Sequence, residues 1–198
     1  MVRLLSPTAI VIGDECAVVL TLLRRTTLKW IEKHGRNVTG SVLNVGSAND
    51  PYNYKKYFPN ASRYRNLDIV HQKGVHINAD VRDMPLPSDS EDCITAVFMI
   101  YHLRNVREAL REFKRVLRQN SILLITYQPS LPPISLETED GGIITSITTG
   151  PWRVAGKTVD GVTALKSLDE FFHVDEVLIH REKNGCEWLL IKAVNRGG

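Results

Sequence analysis

Residues 41–50, SVLNVGSAND, constrain this chain more than any other stretch. An apolar run (Val42, Leu43, Val45) stops at Gly46, small and polar residues follow, and Asp50-Pro51 is an N-cap and first-turn pair. The pattern reads as strand, tight loop, helix. In a parallel α/β sheet, the loop after the first strand meets ligands at the carboxyl ends of the strands. Gly46 has no Cβ, so backbone amides can approach a ligand closely. About 20 residues later, Asp68 closes a second strand, where such folds place a carboxylate that accepts ribose hydroxyls. The pair points to a nucleoside-type cofactor.

The rest of the chain continues the alternation of helix and strand. Residues 14–34 carry Val18, Leu22, Leu28 and Ile31 among Arg24, Arg25, Lys29 and Lys33, the spacing of an amphipathic helix that Gly35 stops. A short helix is expected from Pro51 to about Phe58, and strands over 64–69 and 75–79. His71–Gly74 leave no room for a crossover of a dozen or more residues, so the third strand should be short or loosely paired. Cys93–Phe98 is a continuous apolar run, as in a central strand covered on both faces.

Val106–Leu117 is the best-marked helix. Val106, Ala109, Leu110, Phe113 and Leu117 form its buried stripe, with Asn105 and Glu108 as a cap and an acceptor three residues on. Its basic residues (Arg107, Arg111, Lys114, Arg118) read as a solvated face partnered by Glu108 and Glu112, with contact to an acidic groove as the alternative. Residues 122–127 form a fifth strand, entered through Gln119-Asn120-Ser121, where Asn120 best tolerates positive φ. Residues 128–163 make a long excursion with room for a hairpin, a length typical of functional loops. Leu168–Phe172 read as a short helix, and 174–180 with 188–194 as a hairpin turned at Asn184-Gly185.

With 198 residues, 43% hydrophobic and 24% charged, the totals suit one soluble domain with a sizeable core. A net charge of +3 permits nucleic acid as a partner without arguing for it. Cys16, Cys93 and Cys186 lie far apart without CxxC spacing, so neither zinc nor a disulfide framework is expected. Reduced thiols in a cytoplasmic protein are the simpler account. Neither a signal peptide nor a membrane span is expected.

From Ser41 to about Tyr127 the chain resembles the class I S-adenosylmethionine (SAM)-dependent methyltransferases of the type 11 branch. The resemblance is carried by NADVRDMPLPSDSEDCITAVFMIYHL and a following helix that ends in KRVLRQNSILLIT. It implies an α/β, Rossmann-like class I methyltransferase fold: a mostly parallel sheet with strand 1 central, an antiparallel C-terminal hairpin at the edge, and helices on both faces. Residues 1–198 would form a single domain, with the N-terminal helix at 14–35 and the SAM-binding core at 41–127. The excursion at 128–163 would be a substrate lid, and 164–195 would hold the final helix and hairpin.

The resemblance also implies the site. Gly46 and Ser47 would begin the loop around the methionine part of SAM. Asn44 and Ala48 stand where the family has its first-loop acid and second glycine, and Asp50 where it has the third. Asp68 would accept both ribose hydroxyls, with Ile69 beside it. Asp80 would accept from the adenine amino group while the Val81 amide faces the ring. Ala96, Val97 and Phe98 would line the floor under the sulfonium. No metal is implied, and S-adenosylhomocysteine would be the product.

Methyl transfer from a sulfonium asks the protein mainly for positioning and exclusion of water. A base is needed only for an acceptor that is protonated at working pH. His102 is the candidate for that role, though it reads more simply as a residue fixing the loop before the helix. Tyr101, Arg104 and Tyr127 could face an acceptor or simply pack, and Trp152 and Arg153 read as lid or plug. Two functional classes stay open. One is a methyltransferase acting on a small-molecule or glycan-type acceptor; the other is a non-catalytic partner or scaffold of the same fold, motivated by Asn44, Ala48 and Asp50. An RNA or DNA methyltransferase is a third reading, and the lack of interleaved basic and aromatic residues counts against it. A nicotinamide enzyme lacks its G-x-G-x-x-G. The oligomeric state has no signature.

Overall fold

The computed structural model describes residues 13–47, 53–103, 105–127, 133–137, 143–147, 152–154, 157–159, 168–181 and 187–197. The elements are α1 (Gly13–Gly35), β1 (Gly40–Val45), β2 (Ala61–Asp68), β3 (Ile77–Asn78), β4 (Glu91–Ala96), α2 (Val106–Val116) and β5 (Leu117–Tyr127). There follow β6 (Pro133–Glu137), β7 (Ile143–Ile147), β8 (Trp152–Val154), β9 (Lys157–Val159), β10 (His173–Arg181) and β11 (Glu187–Val194).

Seven strands form one sheet in the order β3-β2-β1-β4-β5-β11-β10. Pairing is parallel from β3 through β5, and β11 runs antiparallel to both β5 and β10. The expected class I arrangement is therefore present. Its sequence order reverses between β1 and β4, which opens a crevice at their carboxyl ends.

Alternation along the strands builds two cores. Leu43, Val45, Ile94 and Ala96 pack with Ala109, Leu110 and Phe113 of α2. Val42, Cys93, Leu124 and Leu190 pack on the other face with Leu23, Trp30 and Ile31 of α1. The buried stripe of α1 is Leu23, Thr27, Trp30 and Ile31, whereas Leu22 is exposed. Of the expected stripe, Ile31 is buried and Leu28 packs partly buried on this core, while Leu23 stands in for Leu22; the Thr27 hydroxyl donates to Leu23 O at 2.9 Å and is satisfied in the core.

β3 is two residues long, as the short connection requires. Asn66 anchors its approach: its N–H donates to His76 Nδ1, and its amide donates to Gly74 O. β4 ends at Ala96, two residues earlier than expected, because Phe98 has φ +56° and turns the chain out of the sheet. β5 starts at Leu117 rather than Ile122, and Asn120 takes the expected positive φ, at +64°.

Asn105 stands at the start of α2 without a side-chain capping bond. Its φ of −128° and ψ of 89° belong to a cap with no such bond. The other end of α2 is held by Asn195, whose buried side-chain amide donates to Leu117 O at 2.8 Å. Glu112 does partner a basic residue of the helix, Arg115, while Arg107 pairs with Glu170 and Arg118 with Asp92.

Within 128–163, β6 pairs with β7 and β8 with β9, both antiparallel. Leu168–Phe172 make one turn, closed by Phe172 N donating to Leu168 O at 2.9 Å. The Asn184-Gly185 turn lies outside the described residues. No helix among the described residues is long and apolar enough to cross a membrane.

Candidate active site at the sheet crossing

The end of β1 is built around Gly46. Its φ is +63°, and a Cβ there would stand 2.5 Å from Met99 Cβ. The glycine therefore lets the loop after β4 close over the loop after β1. The amides of Gly46 and Ser47 both donate to Leu67 O, at 2.9 and 3.4 Å. The ladder to β2 thus runs on past β1 and engages both donors.

Asn44 does not reach into the crevice either. Buried between strands, it accepts from Thr95 Oγ1 at 2.8 Å and donates to Asn66 Oδ1 at 3.2 Å. A neutral amide suits this position, since it both donates and accepts where a carboxylate only accepts. Ala48 and Asp50 lie outside the described residues.

At the end of β2, Asp68 is half-buried and its Oδ1 accepts Val70 N–H at 2.9 Å, an Asx turn that bends the chain away from the sheet. Beside it Ile69 is 67% exposed and Val70 47% exposed. A carboxylate offers about four acceptor positions, so Asp68 keeps capacity for a ligand hydroxyl next to an apolar surface.

Asp80 follows β3 and is clamped by Arg82. Oδ1 accepts Arg82 N at 2.8 Å and Nε at 3.0 Å, while Oδ2 accepts Nη2 at 2.6 Å. The guanidinium hydrogen bond holds its carboxyl below the usual carboxylate range. An incoming amino group must share this carboxylate with Arg82. The Asp-x-Arg spacing in DVRD was the signal for the clamp, and it went unread.

Val81 and Val97 are buried in the core, and the Phe98 ring packs edge-on against Trp188 at 5.0 Å. Phe98 stays partly exposed, while Ala96, wholly buried, belongs to the α2 core. Phe98 N–H donates to Thr126 Oγ1 at 2.7 Å, which pins the positive-φ turn. Tyr101 and His102 lie in a 3-10 turn, Ile100–His102, closed by His102 N donating to Met99 O at 3.0 Å. The side chain of Tyr101, together with Arg104, Trp152 and Arg153, lies outside what the structure describes.

Desolvation by the surrounding protein lowers the His102 pKa below 6.5. His102 is expected to be neutral at pH 7, with its NMR titration midpoint falling below 6.5. The sign follows: the unfolded chain takes up the proton first, so the stability tied to a neutral ring is full above 6.5 and erodes as pH falls below it. A midpoint above 6.5 would remove this account of the ring.

The methyltransferase domain family matches residues 27–125, half of the chain, from α1 to β5. The chain belongs to that family. Among solved structures, this methyltransferase-family chain is similar to an S-adenosylmethionine dependent methyltransferase from Mesorhizobium loti, at 15% identity and TM-score 0.61, covering 84% of this chain and 96% of that one. It is similar to the Burkholderia thailandensis 1,6-didemethyltoxoflavin-N1-methyltransferase, bound to 1,6-didemethyltoxoflavin and S-adenosylhomocysteine, at 13% identity and TM-score 0.63. That match covers 97% of this chain and 94% of that one. It is also similar to the [4+2]-cyclase SpnF, at 14% identity and TM-score 0.63, covering 88% and 81%. At such identities these likenesses show the fold. A search of curated proteins finds no match.

Proposed function

We propose that the chain binds S-adenosylmethionine at the carboxyl ends of β1, β2 and β4 and transfers its methyl group to a small-molecule or glycan-type acceptor. The carrying observation is Asp68: a half-buried carboxylate at the end of β2, beside the sheet crossing and next to exposed Ile69. A carboxylate accepts at about four positions, so the two hydroxyls of a ribose diol can join the Val70 N–H on it. Ile69 offers the apolar surface for the adenine. Asp80 accepts from the adenine amino group alongside Arg82, and the Val81 amide faces the ring. The turn at Gly46 and Ser47 gives the methionine part its path past β1. SAM would supply the methyl group on a sulfonium, and His102 would take a proton from an acceptor that still carries one. Family membership supports this reading, and relatives of the same fold carry S-adenosylhomocysteine in their sites. Residues 1–198 are proposed to act as one domain.

The second reading, a non-catalytic partner or scaffold, draws on the internal use of Asn44 and of the Gly46 and Ser47 amides. Calorimetry with S-adenosylhomocysteine separates the two. The wild-type chain should bind, and Asp68→Ala should weaken binding by about 2 kcal/mol, roughly thirtyfold, as for hydrogen bonds to a charged group. Absence of binding at millimolar ligand rejects the enzyme reading. Binding without transfer to any acceptor would favour an activity other than methylation, as the cyclase of the same fold illustrates.

A further inference from the structure

The two edges of the seven-stranded sheet are managed differently. On one side β3 is only two residues long, and a short edge offers little to pair with. On the other side β10 runs for nine residues, His173–Arg181, and no described strand pairs with its outer edge. HVDEVLIHR contains neither proline nor lysine, and its charges and its bulge, between Val174 and Glu176, stand towards the ends of the strand and leave its centre unguarded. In its centre Val177, Leu178 and Ile179 are 39%, 38% and 50% exposed. Successive strand residues point to opposite faces, so apolar surface is open on both sides of this edge.

We propose that β10 is the interface of a twofold-symmetric homodimer, in which it pairs antiparallel with β10 of a second copy about Leu178. The occupant is identified by charge. Two acids, Asp175 and Glu176, precede the apolar centre, and two basic residues, His180 and Arg181, follow it. With Leu178 facing its own copy, Glu176 stands opposite His180 and Val177 opposite Ile179, all in the regular part of the strand after the bulge at Asp175. The strand is thus complementary to itself in that register. The acids are already oriented: Lys33 donates to Glu176 Oε2 at 2.6 Å, and Lys192 pairs with Asp175 at 2.5 Å. Glu176 Oε1 also lies 3.2 Å from His34 Nε2, and a carboxylate accepts at about four positions. Each copy spends its one long edge, so assembly closes at two chains, as an isologous contact must. The proposal does not rest on the methyl-transfer reading.

The test is sedimentation velocity across a concentration series, with thermal melts to show that each variant folds. Directly opposed residues lie within side-chain reach. Val177→Lys/Ile179→Lys therefore sets like charges face to face and should weaken the dimer roughly a hundredfold or more. Val177→Lys/Ile179→Glu places opposite charges at the same contacts and should keep the dimer. A monomeric wild-type chain overturns the proposal. So does a dimer indifferent to the first double variant, or one lost equally in both.

Discussion

Gly46→Ala should lower the unfolding free energy by about 2 to 5 kcal/mol, the sum of a left-handed backbone for an L-residue and an overfilled contact. The contact is a new Cβ at 2.5 Å from Met99 Cβ and 2.9 Å from its Cγ. Neither side yields readily. Gly46 is tied to β2 through Leu67 O, and Met99 is buried between the Phe98 turn and the 3-10 turn at Ile100–His102. Urea denaturation should show a lower midpoint at unchanged slope. Gly46→Asn separates the causes, because asparagine tolerates positive φ yet still carries the Cβ. It should fall between glycine and alanine. A loss under about 1 kcal/mol for alanine would mean that the two loops move apart freely. The same substitution should abolish cofactor binding if the loops must close on each other for the site to form.

The second large effect lies at the opposite end of the sheet. Glu91 is fully buried, and its Oε1 accepts from Arg65 Nη2 at 2.5 Å and Arg63 Nη2 at 3.2 Å. Its Oε2 and the Arg65 Nε have no hydrogen-bond partner among the described residues. Arg65 is the closer and more buried partner, with 23% of its side chain exposed against 49% for Arg63. Arg65→Met strands a buried carboxylate and should cost about 3 to 5 kcal/mol. Arg63→Met removes a partner already half in water and should cost under about 1 kcal/mol. Arg65→Met/Glu91→Leu replaces the pair by apolar side chains and should recover most of the loss, since such replacements are often neutral or better. Equal costs for Arg63→Met and Arg65→Met would show that Glu91 is shared evenly. No recovery in the double variant would show that packing, not charge, holds this corner.

Much of the architecture was legible from local pattern. Continuous apolar runs gave β1 and β4, because strands buried on both faces need them; β2, β5 and the terminal hairpin were located less sharply, from shorter apolar stretches and turn residues. The stripe of α2 was legible down to Ala109, Leu110 and Phe113. The short segment after Asp68 foretold a stunted β3. Less legible were the polar residues inside the core. Thr27, Asn66, Glu91 and Asn195 are buried, and composition assigns such residues to the surface. The end of β4 was misjudged because Phe98 takes a backbone conformation that its type rarely adopts.

Alone, the sequence determined which segments become strands, that the first of them meets a glycine turn, and that an acid stands at the end of the second. These depend on periodicity and on residue types within a few positions of each other. Only the tertiary structure decided which polar groups around the crevice are already engaged. Asn44 is held by Thr95 and Asn66, the Gly46 and Ser47 amides by Leu67 O, and the face of Gly46 by Met99. Each partner lies more than twenty positions away or nearly so, on a neighbouring strand or the loop that follows one. A hydrogen bond or a steric contact is fixed by distances of a few ångströms in space, and the order of strands in the sheet sets those distances.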